Sequence, residues 1–156
     1  MNRVILSGNL ATSPASKTFE NRDGKPVDVC QALLAVNKYR GQKQIKADFF
    51  IIKTFNGTAR FLSKYFDKGS RVLCQGYLND NSYTDAEGKK RYMVEVIVEQ
   101  LEFAGKSKSK DENEEKAAPS EEVMSEYEGA LEDIGNVNYD LEFENLKFDF
   151  DSDSGE

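Results

Sequence analysis

The chain changes character at Gly105, and that break limits what can fold. Residues 1–105 carry a net charge of +5 and residues 106–156 a net charge of −12, which together make the −7 of the whole chain. Past the break the sequence runs KSKSKDENEEKAAPSEE, polar and charged without any strand pattern. Such a stretch cannot bury enough apolar surface to offset the entropy lost on ordering, and it reads as a linker. Only residues 1–105 are left to build a core, which suits one domain of ordinary size, about 100 to 150 residues, and leaves no room for a second. A mildly basic body therefore precedes an acidic tail, 106–156, expected to be disordered.

Several function classes lose their usual tools. Histidine is absent, so the commonest general base and the commonest zinc ligand are missing together. There is no GxxxxGK[ST], GxGxxG or GxSxG in the chain. Cys30 and Cys74 lie in apolar, strand-like runs with no partner at metal-ligand spacing, and are read as buried free thiols. No cofactor, no metal and no catalysis are expected. No run approaches the about 20 apolar residues of a membrane span, and the opening MNRVILSGNL lacks the features of a signal peptide, so a cytoplasmic protein without membrane contact is expected.

Within the body, β-branched and aromatic runs bounded by turn residues mark five extended segments. They are Arg3 to Leu10, Val27 to Val36 (entered through Asp23-Gly24-Lys25-Pro26), Ala47 to Phe55, Arg71 to Leu78 and Tyr92 to Phe103. One helix is predicted between the third and fourth, Thr58 to Phe66, with Ala59, Leu62 and Phe66 on one stripe, Phe61 and Tyr65 beside it, and Asp67-Lys68-Gly69 ending it. Five strands with a helix between the third and fourth is the order of a mainly β fold, the OB-fold, a five-stranded Greek-key barrel whose face and loops bind oligonucleotides or oligosaccharides. In the tail, Val123, Met124, Tyr127, Leu131 and Ile134 recur at helical spacing, but Gly129 interrupts them. Plain disorder is the expectation there, and a helix formed on binding a partner is the alternative.

Single-stranded nucleic acid is held without sequence preference by rings that stack on bases and cations that follow the backbone. The third segment places Phe49, Ile51, Lys53 and Phe55 on one parity and Phe50 and Ile52 on the other, so one face can pack the barrel while the other offers two rings and an ammonium. Strand aromatics are ordinary, and a purely structural role for all three phenylalanines stays open on this pattern alone. Repetition favours binding. Tyr39 lies beside Lys38, Arg40, Lys43 and Lys46, and Tyr83 lies in a loop before Lys89, Lys90 and Arg91. Cations interleaved with rings on several elements are what an electrostatic groove with stacking platforms requires.

The motifs coincide with those of a known family. Asn2-Arg3-Val4-Ile5-Leu6-Ser7-Gly8-Asn9-Leu10 comes first, followed by Phe55, Ala59, Tyr65, Lys68, Gly69 and Ser70. Gly76-Tyr77-Leu78 and then Tyr83-Thr84-Asp85, Gly88, Arg91 and Tyr92 complete the series. In this order and spacing, over residues 1–104, the body resembles the bacterial and phage single-stranded-DNA-binding proteins. The resemblance implies base stacking at Tyr39, Phe49, Phe55 and Tyr83, where the family mostly has tryptophan; this chain has none. The cations expected beside those rings are Arg3, Lys38, Arg40, Lys43, Lys46, Lys53 and Arg91. The resemblance also implies a homotetramer with the first strands paired between subunits, and an acidic tail that docks replication, recombination and repair proteins. The family tip closes on aspartates and a hydrophobic dipeptide ending in Phe. Here the run is Phe148-Asp149-Phe150-Asp151-Ser152-Asp153-Ser154-Gly155-Glu156, a divergence that fits a phage or plasmid protein. Phe143, Phe148, Asp149, Phe150 and Asp151 are the candidate partner-binding residues.

The expected function is therefore to bind and protect single-stranded DNA in a bacterial or phage-infected cytoplasm, without catalysis. An OB-fold adaptor with incidental nucleic-acid affinity is the alternative from another class. A carboxylate and metal nuclease is the third reading, and it finds little support, since Asp48 stands alone in its strand and Asp80, Asp85 and Glu87 have turn roles.

Overall fold

Alternating apolar residues in the body become long strands, and two close approaches of the backbone bend those strands into a barrel. The computed structural model describes residues 1–105 and 120–133. In chain order the elements are β1 (Val4–Leu10), β2 (Ala15–Glu20), β3 (Pro26–Arg40), β4 (Lys43–Phe55), α1 (Asn56–Tyr65), β5 (Arg71–Asp80), β6 (Tyr83–Thr84), β7 (Lys90–Arg91), β8 (Val94–Phe103) and α2 (Glu121–Asp133). The main sheet runs β1-β5-β8-β4-β3-β2 and closes through pairing of β1 with β3. Five strands, β1, β3, β4, β5 and β8, form the closed barrel, with α1 between its third and fourth strands, which is the OB-like architecture expected. β4 and β8 pair in parallel and the other barrel pairs are antiparallel.

Both approaches fall at glycines. At Gly8, where β1 crosses to meet β3, a Cβ would run into the Ala35 carbonyl; at Gly76, beside the register shift in β5, it would run into the Ile97 carbonyl. Strand bends of this kind commonly coincide with glycine.

Residues of one parity fill the barrel. Cys30, Ala32 and Leu34 of β3, Ile52 of β4, Val72 and Cys74 of β5, and Val96 and Val98 of β8 form the inner core with Leu10. The predicted stripe of α1, Ala59, Leu62 and Phe66, packs on this core. Burial of Leu62 and of Phe66 each stabilises the fold by about 1.5–3 kcal/mol. The two thiols are free and buried, and burial pushes each up to about 11, so neither is a reactive nucleophile at neutral pH.

Four elements depart from the sequence reading. β2 was not expected; its one large apolar residue is Phe19, and it pairs along β3 from Ala15↔Gln31 to Glu20↔Pro26. A short edge strand with a single large apolar residue leaves no alternation to detect. The Tyr83 loop is a short ribbon, β6 with β7. Most consequentially, Glu121–Asp133 of the acidic tail, where disorder was the expectation, is helical. The Ser120 hydroxyl accepts the N–H of Val123 at the N-terminus of α2. No described helix is long and apolar enough to cross a membrane.

Candidate nucleic-acid interface

The parity of β4 that does not fill the barrel lies on its outside, and neighbouring strands add to the same face. The registers Val29↔Phe55, Gln31↔Lys53, Leu33↔Ile51 and Ala35↔Phe49 place β3 beside β4. Lys53↔Ile97 adds β8, and Tyr77↔Ile97 with Asn79↔Glu95 adds β5. At one end of this face Phe55 packs with Val27, Val29 and Ile97, with Phe19 and Tyr77 against them. At the other end Leu33 and Ile51 form a second cluster with Phe49, Ala11 and Met93.

Between the two apolar ends lies a polar station. Lys53 Nζ sits 2.9 Å from Glu95, and Asn79 Nδ2 donates to Glu95 Oε1 at 3.2 Å. Lys53 and Glu95 are each 1% exposed. This corrects the expectation that Lys53 presents its ammonium to a ligand. Strand alternation places Lys53 on the outer face, but a carboxylate from β8, distant in sequence, takes up its charge. The Gln31 carboxamide lies beside them, and its Nε2 is buried with no hydrogen-bond partner among the described residues.

α2 lies over the Leu33 and Ile51 end. Tyr127, 3% exposed, joins that cluster, with Val123 and Met124 against it. Its hydroxyl donates to the Gln31 carbonyl oxygen at 3.4 Å, and burial raises its phenol, a rise opposed by a hydrogen bond with Thr12. Phe49 and Phe55 are thus not open platforms in this conformation: Phe49 is half-buried in the cluster that α2 joins, and Phe55 is buried in the other.

The remaining sequence candidates sit on two hairpins and on β1. Tyr39 is 63% exposed at the end of the β3 and β4 hairpin, where Arg40, Lys43 and Lys46 are also exposed. Lys38 faces Lys46 and Arg40 faces Lys43 across the ladder. Like charges directly opposite one another are destabilising, a cost that a polyanion would relieve. Lys38 Nζ lies 2.8 Å from Asp48, an exposed pair worth at most about 1 kcal/mol and readily exchanged for a phosphate. On the ribbon, half-buried Tyr83 pairs with Arg91, whose Nε is 3.0 Å from Asp85. Backbone N–H groups of Lys89 and Glu87 and the Arg91 side chain hold the Asp85 carboxyl below the usual range. Arg3 pairs with Glu99.

Sequence reasoning did not single out Gln31, Glu95, Tyr92 or Tyr127 for this site. Tyr92 is strongly exposed with the Lys90 ammonium 5.3 Å from its ring centroid, and its place next to Arg91 was the available signal. Phe143, Phe148, Asp149, Phe150 and Asp151 lie outside the described residues.

A sequence profile of the Single-strand binding protein family matches residues 1–104, the whole barrel. The chain belongs to that family. It is 33% identical over 120 residues to Single-stranded DNA-binding protein 1 of a Nostoc species, an alignment covering 76% of this chain and 96% of that one. It is 32% identical over 117 residues to Single-stranded DNA-binding protein 1 of Staphylococcus aureus, covering 74% and 72%. With the Xylella fastidiosa protein of the same name it shares 30% identity over 109 residues, 68% of this chain and 79% of that one.

Proposed function

We propose that this member of the single-strand binding family binds and protects single-stranded DNA, without strong sequence preference and without catalysis, during replication, recombination and repair in a bacterial or phage-infected cytoplasm. The carrying observation is the family match over the complete barrel. Bases stack on Tyr39, Phe49, Phe55 and Tyr83, and phosphates meet Arg3, Lys38, Arg40, Lys43, Lys46 and Arg91. The exposure of Tyr39 and of the opposed cations beside it supports this reading. Lys53 is left out of the phosphate set because Glu95 holds it. The acidic segment after Gly105 recruits partner proteins, with Phe143, Phe148, Asp149, Phe150 and Asp151 as its contacts.

The barrel also assembles as a homotetramer through β1. Val4 to Gly8 pair only with β5 among the described residues, which leaves the other edge of β1 open, and Ile5 on this strand is exposed.

Titration of fluorescein-labelled oligo(dT) and of a duplex across salt concentrations tests the function. Tight binding of the single strand, weak binding of the duplex and a salt slope of about 0.7 per phosphate contact are expected. Equal affinity for the two would refute it.

A further inference from the structure

Asn56-Gly57 is the one Asn-Gly step in the sequence, and it stands where β4 turns into α1. Asn56 is the one non-glycine residue with positive φ, 49°, among the described residues. Asparagine tolerates that left-handed backbone better than most side chains, though glycine suits it best. Its carboxamide is held, with Oδ1 accepting the backbone N–H of Asp28 at 3.4 Å. The next amide is not held. Gly57 lies in the first turn of α1, where no helix carbonyl can reach its N–H, and Phe55 at the N-cap makes no side-chain cap hydrogen bond. Gly57 is exposed, and apart from its chain neighbours and the helix backbone only the Arg60 guanidinium approaches the place a Cβ would take, at 3.9 Å. An electrophilic carbonyl carbon, an unshielded backbone nitrogen one residue on, and access for water are therefore brought together.

We infer that Asn56 is a self-modification site that converts to aspartate and isoaspartate in the folded protein, with water as the co-reactant. The Gly57 nitrogen gives its proton to solvent base and attacks Asn56 Cγ. The Cγ–Nδ2 bond then breaks, Nδ2 takes its electron pair and a proton, and ammonia leaves a five-membered succinimide. The Asp28 N–H, already on Oδ1, stabilises the oxyanion that forms during the attack. Water opens the ring at either carbonyl. Opening at Cγ gives aspartate, which puts a carboxylate into the first turn of α1, where there is no acidic residue and the positive end of the helix favours one. Opening at the main-chain carbonyl gives isoaspartate, which routes the backbone through Cβ and Cγ and adds one bond between Phe55 and α1. Phe55 is seated among Val27, Val29 and Ile97, and Ala59 and Leu62 in the barrel core, so the extra bond loosens one anchor or the other. None of this depends on the ligand that the barrel takes.

Incubation of the full chain at mildly alkaline pH, followed by tryptic mapping, mass spectrometry and isoaspartyl-methyltransferase labelling, tests this. The peptide 54–60 is expected to gain the mass of amide-to-acid conversion and to accept methyl label, faster as pH rises. Asn9, Asn21, Asn37 and Asn79, none followed by glycine, stay unconverted over the same time. Gly57→Ala slows conversion at least about threefold, because a methyl group crowds the closing ring and stiffens the backbone. Its Cβ finds room beside Arg60, so the variant folds. Asn56→Gly keeps the left-handed backbone and abolishes the methyl label. Conversion of Asn56 in urea with none under native conditions overturns the proposal. So does aspartate at position 56 without isoaspartate, since direct hydrolysis of the amide gives the first alone. Equal rates in Gly57→Ala and the unaltered chain overturn it as well.

Discussion

Replacing Lys53 with Met separates the two roles that this residue could have on the outer face. Its ammonium is 2.9 Å from Glu95 in a site where both residues are 1% exposed, so the substitution leaves a carboxylate buried without its cation. Asn79 still donates one hydrogen bond to Glu95, which satisfies a lone pair but not the charge. Removing one partner of such a pair costs about 3–5 kcal/mol. At about 4 °C or more per kcal/mol for a domain near 100 residues, the melting temperature should fall by at least about 12 °C. Lys53→Met combined with Glu95→Leu replaces both charges with apolar groups and should recover most of that loss, since a buried pair is often no more stable than a hydrophobic replacement. The DNA arm is equally sharp. Lys53→Met should leave the salt slope of oligo(dT) binding unchanged, whereas Lys43→Ala should lower it by about 0.7. Thermal melts by circular dichroism and salt-dependent anisotropy titrations on the same samples read both quantities. A stable Lys53→Met protein whose salt slope drops like that of Lys43→Ala would refute the buried-pair argument and return Lys53 to the phosphates.

Two further outcomes follow from charge and burial. Removing residues 106–156 should strengthen binding to single-stranded DNA most at low salt, since a tethered net charge of −12 competes with phosphates and is screened over about 10 Å at 0.1 M salt; anisotropy titrations showing weaker binding at every salt concentration would place the tail within the DNA site instead. Burial raises both thiols from 9.0 to about 11, so the fold favours their neutral form; the stability this contributes is complete below pH 9 and lost as pH rises to about 11. The urea midpoint should fall over that window, and the fall should be shallower in a Cys30→Ala, Cys74→Ala protein; parallel pH profiles would contradict it.

The barrel was legible in the sequence because its strands alternate in a fixed period and its helix carries its own apolar stripe: Cys30, Ala32 and Leu34 against one face, Ala59, Leu62 and Phe66 against one end. The same period told Phe50 and Ile52 apart from Phe49, Ile51, Lys53 and Phe55, and the glycines at positions 8 and 76 sat inside recognisable motifs. Period says which residues share a face, but nothing about what arrives on that face from elsewhere in the chain. Lys53 looked like a free cation because Glu95 belongs to a strand 42 residues further on. Tyr127 looked like one apolar residue in an unpartnered acidic segment because its slot is made by β3 and β4, 96 residues away from Gln31 in sequence. β2 escaped notice because pairing to β3, not any pattern of its own, makes it a strand. Local periodicity thus settled the fold and the ordered motifs carried the resemblance to the family, whereas the state of the outer face, with its charge neutralised and one end filled by an internal aromatic ring, depends on long-range contacts that only the folded chain creates.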